Sequence, residues 1–260
     1  MADCGESLQS NILEPEHNGN DYDMKISLSK SKVMSVALLR AGESNILVVD
    51  WGMLSARPCY PAAVVNTLHT GKCTAQLLHA LVKRFPSMSL SQVHAIGFSL
   101  GAHVAAFASN SLMDSLGTTL GRITGLDPAL PLFATLKDSW KLDSSDANFV
   151  DVIHTNVGVF GKIEAVGHAD FYVNGGSVQP ACAETENVPL CSHMLAPVYF
   201  AESVQTPLGF WGTPCASYLQ YTWGGCPDTE ERVLMGEHCN TSTRGVFFVD
   251  TGSSPPYALG

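Results

Sequence analysis

The chain has 260 residues, 45% of them hydrophobic and 15% charged, with a formal net charge of −10. That is enough mass for one sizeable α/β domain, or two small ones, with a full core. The acidic balance argues against a nucleic-acid partner and against strong electrostatic binding to anionic membranes. No apolar run approaches the ~18 residues that a transmembrane segment needs.

Residues 1–32 are polar and acidic, with six acids before the first basic residue, Lys25. They lack the apolar run of a signal peptide and show no clear periodicity, so they are read as loop or arm. From residue 33 a strand–helix rhythm predicts a single α/β domain. The run NILVVDW at 45–51 predicts a buried strand. Pro61 opens a helix and Pro86 closes it, with Val64, Leu68, Ala75, Leu78, Val82 and Phe85 recurring at helical spacing. A strand at 93–98, a helix after it, strands at 122–126 and 148–154, a helix at 192–203 and a strand at 245–251 follow. Strands alternating with helices predict a mostly parallel sheet flanked by helices, with its active site at the carboxyl ends of the strands.

The segment Gly97-Phe98-Ser99-Leu100-Gly101-Ala102-His103 contains G-x-S-x-G between a strand and a helix. A sharp turn there would lift the Ser99 hydroxyl above the sheet edge, and flanking side chains other than glycine would collide. A serine hydroxyl is a poor nucleophile near neutral pH, so it needs a base, and the base needs an orienting carboxylate. Asp127, just past a strand and before Pro128, is the best carboxylate, although its local pattern fits an Asx turn equally well. His154, His168, His193 and His238 all follow it. Local pattern alone leaves the choice among these four open.

Several stretches together resemble the animal pancreatic-lipase family, in particular its insect lipase and phospholipase A1 branch. They are VDWG at 49–52, GFSLGAH at 97–103, GLDPA at 125–129, DVIHT at 151–155, GHADFYVNGG at 167–176, QPAC at 179–182, CSH at 191–193 and PYALG at 256–260. The resemblance covers residues 33–260 and implies an α/β-hydrolase fold. Position by position, it implies that Ser99 is the nucleophile, Asp127 the orienting acid and His193 the base. His103 and His154 match family residues outside the triad and are expected to be structural.

An oxyanion hole needs two N–H donors, each worth ~3 kcal/mol of barrier. The amide of Leu100 is the first. The family's His-Gly-aromatic segment for the second is not found, the nearest candidate being His17-Asn18-Gly19. The family's early strands and signal peptide likewise have no recognised counterpart in the sequence.

The resemblance also implies a lid enclosed by a Cys182–Cys191 disulfide, and a second disulfide between Cys215 and Cys226. A Cys59–Cys73 bond is excluded on helix geometry, since ~18 Å of helix rise would have to shrink to about 7 Å. Cys4, Cys59, Cys73 and Cys239 stay unassigned. The eight-residue lid is short, and so is the loop at 156–166, where Val157, Val159, Phe160 and Ile163 are candidate acyl-chain contacts. A short lid leaves room for a polar head group, which leans toward sn-1 hydrolysis of phospholipids; a triacylglycerol or galactolipid lipase and a catalytically impaired lipid-binding protein are the rivals.

Asp143 and Asp146, with the carbonyls of Asp138 and Lys141, resemble the calcium loop of vertebrate family members; a solvated acidic turn is the alternative. The proposed chemistry requires no cofactor. Eight cysteines and the glycosylation triplet Asn240-Thr241-Ser242 fit an extracellular protein.

Overall fold

The computed structural model describes residues 45–260 apart from Arg57, Thr135 and Leu136, together with the backbone of two earlier strands. Ten strands are described: β1 (Gln9–Leu13), β2 (Met24–Leu28), β3 (Asn45–Asp50), β4 (Val93–Phe98), β5 (Leu120–Leu126), β6 (Ala147–His154), β7 (Ala169–Val173), β8 (Phe210–Cys215), β9 (Val233–Met235) and β10 (Gly245–Val249). They form one sheet in the order β1-β3-β2-β4-β5-β6-β7-β10-β8-β9. The run from β3 to β10 is parallel throughout. Antiparallel pairs close both edges: β1 on β3, and β8 on both β10 and β9.

β1 and β2 lie within the segment read from sequence as patternless. The Met24-Lys25-Ile26-Ser27-Leu28 run does alternate apolar and polar, but over too few residues to stand out in an acidic surround. β2 lies between β3 and β4, with Leu28 in register with Gly97. Two strands thus precede β3 in the chain, where the sequence pattern assigned none. β7 was also missed, because ADFYV is fully buried and has no period to read.

Three principal helices pack on the sheet: α1 (Tyr60–Arg84), α2 (Leu100–Leu116) and α3 (Val188–Ser203). α1 carries Pro61 in its first turn and stops just before Pro86. α2 ends at Gly117, whose φ of 69° supplies the left-handed cap. The small residues of α2 let the helix approach closely. A Cβ on Gly71 of α1 would fall 2.5 Å from the Cβ of Phe107.

The core forms two layers. Leu78, Ala102, Ala105, Ala106 and Leu112 of α1 and α2 cover Val93, Ala95, Ile123, Val150 and Val152 on one face. Leu195, Ala196, Tyr199 and Phe200 of α3 cover Ile96, Leu126, Ile153 and Phe171 on the other. Each of the larger side chains buried this way contributes roughly 1.5–3 kcal/mol.

The Cys182–Cys191 and Cys215–Cys226 disulfides are formed, with Cα atoms 5.7 and 5.0 Å apart. Cys73 is disulfide-bonded, whereas Cys59 and Cys239 carry free thiols, so no Cys59–Cys73 bond exists. Cys4 lies outside the described residues. No helix among the described residues is long and apolar enough to cross a membrane.

Candidate active site

β4 and β5 are neighbours, and each is followed at once by a residue with positive φ: 56° at Ser99 and 42° at Asp127. For residues with a Cβ this is strained backbone, which persists only where its surroundings impose it. Here the ladder does so. The Ser99 N–H donates to the Leu126 carbonyl (2.9 Å) and the Asp127 N–H to the Ile153 carbonyl (2.7 Å). Both side chains are thereby presented at the carboxyl edge of adjacent strands. Gly97 is required by the tightness of the elbow, because a Cβ there would meet the backbone of Gly101 and sit 2.6 Å from the Ala102 nitrogen. Leu100 opens α2, so its N–H belongs to the first turn, whose amides have no partner within the helix.

The Asp127 carboxylate is fully buried. One oxygen accepts the N–H groups of Thr155 (2.8 Å) and Asn156 (3.1 Å), which hold the carboxylate in place. The other oxygen is 2.6 Å from Nδ1 of His193. His193 sits one turn into α3, directly after the lid disulfide, and its ring packs beside Phe98 at 4.6 Å and Phe160 at 5.4 Å between centroids. With Nδ1–H donated to Asp127, Nε2 is the nitrogen left for a serine hydroxyl.

The other three histidines are engaged differently. His154 faces acceptors through both ring nitrogens, Lys162 O at 3.0 Å and Asp170 Oδ1 at 2.9 Å, and is buried. His168 accepts the Val150 N–H through Nδ1, and His238 donates through Nε2 to the Val204 carbonyl. Of these four histidines, only His193 meets the Asp127 carboxylate. His103, one turn past Ser99, is also buried. Its Nδ1 accepts the Leu142 N–H, its Nε2–H donates to the Ala129 carbonyl, and Phe133 stacks on it. Burial pushes its pKa down to about 3, so it is a neutral strut between α2 and the Asp127 turn.

Sequence reasoning missed the parts that hold the pair together. The loop after β6 folds over Asp127, and Gly161 lies against the carboxylate so closely that a Cβ would be 2.6 Å from Oδ2. Gln179 is buried and cross-links both halves of the site. Its Nε2 donates to the carbonyls of Thr155 and Val173, and its backbone N–H donates to the Ser192 hydroxyl beside His193. QPAC carried no signal of that role, since a glutamine's partners lie far off in sequence.

Val157 is buried, whereas Val159, Phe160 and Ile163 are exposed at the loop surface. Residues 183–187, enclosed by the Cys182–Cys191 disulfide, are exposed, and Asn187 caps the start of α3 by accepting the Leu190 N–H. His17, Asn18 and Gly19 lie outside the described residues, and no second oxyanion donor is assigned among the described ones.

Asp143 and Asp146 belong to a capping box around a single 3-10 turn. Asp143 accepts the Ser145 N–H and hydroxyl on one oxygen, and Asp146 accepts the Asp143 N–H. The second Asp146 oxygen is buried without a hydrogen bond, and burial pushes that carboxyl's pKa up to about 7. Among the described residues, no group of three or more His, Cys, Asp or Glu stands ready to hold a metal ion.

A serine elbow at the carboxyl edge of a mostly parallel sheet flanked by helices defines the α/β-hydrolase fold. The sequence profile of the Lipase family matches residues 22–257. Human pancreatic lipase-related protein 3 is 34% identical, aligned over 97% of this chain and 60% of its own length. Rabbit (Oryctolagus cuniculus) pancreatic triacylglycerol lipase is 36% identical over 82% of this chain and 51% of its own. Mouse inactive pancreatic lipase-related protein 1 is 36% identical over 85% and 51%. The chain belongs to the pancreatic lipase family, and it spans roughly half to three-fifths of the length of these relatives.

Proposed function

We propose that the protein hydrolyses carboxylic esters of lipids through an acyl-enzyme on Ser99. The observation that carries this reading is the 2.6 Å contact of His193 with a buried, amide-held Asp127, on the strand end beside a strained elbow serine. In the first half-reaction the Ser99 Oγ attacks the ester carbonyl and His193 Nε2 takes its proton. The Leu100 N–H donates to the developing oxyanion, and the proton passes from His193 to the departing alcohol. In the second half-reaction His193 takes a proton from water, hydroxide adds to the acyl carbon, and Ser99 leaves with the proton returned. Asp127 keeps the His193 tautomer and orientation throughout.

The preferred substrate under this proposal is a phospholipid cleaved at its sn-1 ester. The supports are the eight-residue lid and the exposed Val159, Phe160 and Ile163 on a short loop next to His193. A triacylglycerol substrate is the second reading, favoured by the likeness to a relative named for that activity. The third is a lipid-binding protein without turnover, since another relative is named inactive. The protein would work at a lipid–water interface in an extracellular, disulfide-permitting setting.

A calcium ion on Asp143 and Asp146, with the carbonyls of Asp138 and Lys141, is proposed only as a structural element. The fit is partial. The buried, unbonded Asp146 oxygen suits a hard cation, whereas one Asp143 oxygen is already held by Ser145, and the Asp138 carbonyl accepts the Lys141 N–H.

Treatment with a fluorophosphonate followed by peptide mass spectrometry is expected to place the label on Ser99; a label elsewhere overturns the mechanism. Fatty acids released from a mixed-chain phosphatidylcholine and from a triacylglycerol then decide the substrate. Release of the sn-1 chain alone supports the phospholipid reading, triacylglycerol turnover alone replaces it, and no turnover of either favours the binding protein.

A further inference from the structure

Asn240-Thr241-Ser242 is the one Asn-X-Ser/Thr triplet in the 260 residues, and the proposed chemistry does not use it. We propose that Asn240 carries an N-linked oligosaccharide, placed on the pole of the molecule opposite the catalytic edge.

The local geometry supports attachment. Asn240 is exposed at the tip of the turn between β9 and β10. Its Oδ1 accepts both the N–H (2.9 Å) and the hydroxyl (2.8 Å) of Ser242. That leaves Nδ2, the atom that would be glycosylated, with no hydrogen-bond acceptor among the described residues. The turn is built independently of Nδ2. The Thr243 N–H donates to the Asn240 carbonyl, and the Arg244 guanidinium donates to the carbonyls of Thr241 and Thr243. A sugar on Nδ2 therefore breaks none of these hydrogen bonds, and Asn240 is exposed to receive it. Cys73, Cys182, Cys191, Cys215 and Cys226 are all disulfide-bonded, which matches the oxidising compartment in which such transfer takes place.

Location carries the second half of the inference. Arg122, near the amino end of β5, donates to the carbonyls of Gly236 and Glu237, which anchors this loop at the amino edge of the sheet. Asp127 stands at the carboxyl end of the same strand, five residues on, roughly 15 Å away at strand rise. A glycan on Asn240 points away from Ser99 and His193 and leaves the lid side free for a lipid surface.

The transfer balances without any group from this chain beyond the amide. Nδ2 attacks C1 of the first N-acetylhexosamine of a polyprenyl-pyrophosphate-linked oligosaccharide. The C1–O bond to pyrophosphate breaks, the lipid pyrophosphate leaves, and the amide proton goes to a base of the transferase. Thr241 lies between the two recognised positions and is replaceable, while Ser242 is not.

The test is to produce the full chain in insect cells behind a cleavable secretion leader and measure intact mass before and after peptide:N-glycosidase F. A single added oligosaccharide is expected, removed by the enzyme with conversion of Asn240 to Asp. It should be absent from N240Q and S242A and present in T241A. Mapping the Cys182–Cys191 disulfide on the same sample establishes that the chain passed through the oxidising lumen and folded. Unmodified protein with that disulfide formed overturns the proposal, as does a glycan that survives N240Q. The readout is mass, so it stands whether or not the chain hydrolyses lipid; equal turnover of a soluble ester by glycosylated and deglycosylated protein is the further result expected from the placement.

Discussion

Two buried aspartates on neighbouring strands solve one problem in opposite ways. Asp127, just past the carboxyl end of β5, and Asp151, midway along β6, are both completely buried. Asp151 is neutralised by a permanent cation. Arg122 grips both of its oxygens at 2.8 Å, and the Thr124 hydroxyl adds a third bond at 2.9 Å. Asp127 has no such cation. Two backbone amides and one imidazole satisfy it, and that imidazole has a second nitrogen to spare. A carboxylate held by a guanidinium has a partner that keeps its proton. One held by amides beside a titratable ring can steady a proton transfer. The position of a buried aspartate says little; its partners decide the role.

The sharpest way to break this comparison is to neutralise each aspartate's role in turn. Asp127→Asn keeps the shape but removes the acceptor that fixes the His193 tautomer. Turnover of a soluble ester is expected to fall ~10⁴-fold, about 5 kcal/mol of barrier, with little change in urea-induced unfolding. In the mid-strand pair, Arg122→Met leaves the Asp151 charge buried and unpaired. It is expected to cost about 3–5 kcal/mol of stability, read from the shift in the urea midpoint. Turnover per folded molecule should hold. Equal losses of activity in both variants would mean that the two aspartates are not functionally distinct.

How far the sequence reached follows the same division. Ser99 was legible because an elbow needs glycines at fixed local offsets, and Leu100 follows from it by adjacency. Asp127 and His193 were named through motif resemblance; local pattern left an Asx turn and four histidines open. The amides of Thr155 and Asn156, the cross-link through Gln179 and the clamp of Gly161 leave no local trace, because their partners lie tens of residues away. In the fold, α1, α2 and the strands β3 to β6 carried clear periodicity or sharp Pro and Gly boundaries. β7 had neither, being buried on both faces. β1 and β2 are five residues each and only the parallel neighbours β3 and β4 give β2 its place.

Asp146 offers a third solution to the buried carboxylate, and it sharpens the contrast. It has neither a cation nor a histidine, and burial raises its pKa to about 7. In the unfolded chain the same group titrates near 3.8. Between those values the folded state binds more protons, so this group's contribution to stability is full below about pH 4 and is lost as pH rises toward 7. His103 works in the opposite sense over much of that range, since its folded pKa lies below its unfolded one. Comparing variants separates the two. Asp146→Asn should lack the fall of roughly 3 kcal/mol between pH 4 and 7 that Asp146 gives the parent, as followed by urea unfolding at each pH. If calcium binds here, adding it at pH 7.5 should raise the parent's Tm and leave that of the variant unchanged. Identical pH curves for the two proteins would place the Asp146 charge in contact with solvent or a cation.

The smallest expected effect probes the clamp itself. Gly161 does not need its glycine for a turn; it needs room. A Cβ on it would meet the Asp127 carboxylate, and its N–H closes the loop on the Asn156 carbonyl at 2.9 Å. The same loop delivers the Thr155 and Asn156 amides, and it presents Phe160 to the His193 ring. A methyl group from Gly161→Ala must therefore push the loop off the carboxylate or push the carboxylate toward His193. Neither removes a catalytic atom, but a displacement near 1 Å in a preorganised site costs ~10² in rate. We expect kcat on a soluble ester to drop by about that factor, with KM nearly constant, because the loop orients the acid–base pair rather than the ester carbonyl. Phe160→Ala, which keeps the clamp and removes only the ring beside His193, should spare kcat on the soluble ester and raise KM for a long-chain lipid. Should the two variants show the same split, the loop would be a substrate wall alone, and the amides that hold Asp127 would have to be set by β6 without its help.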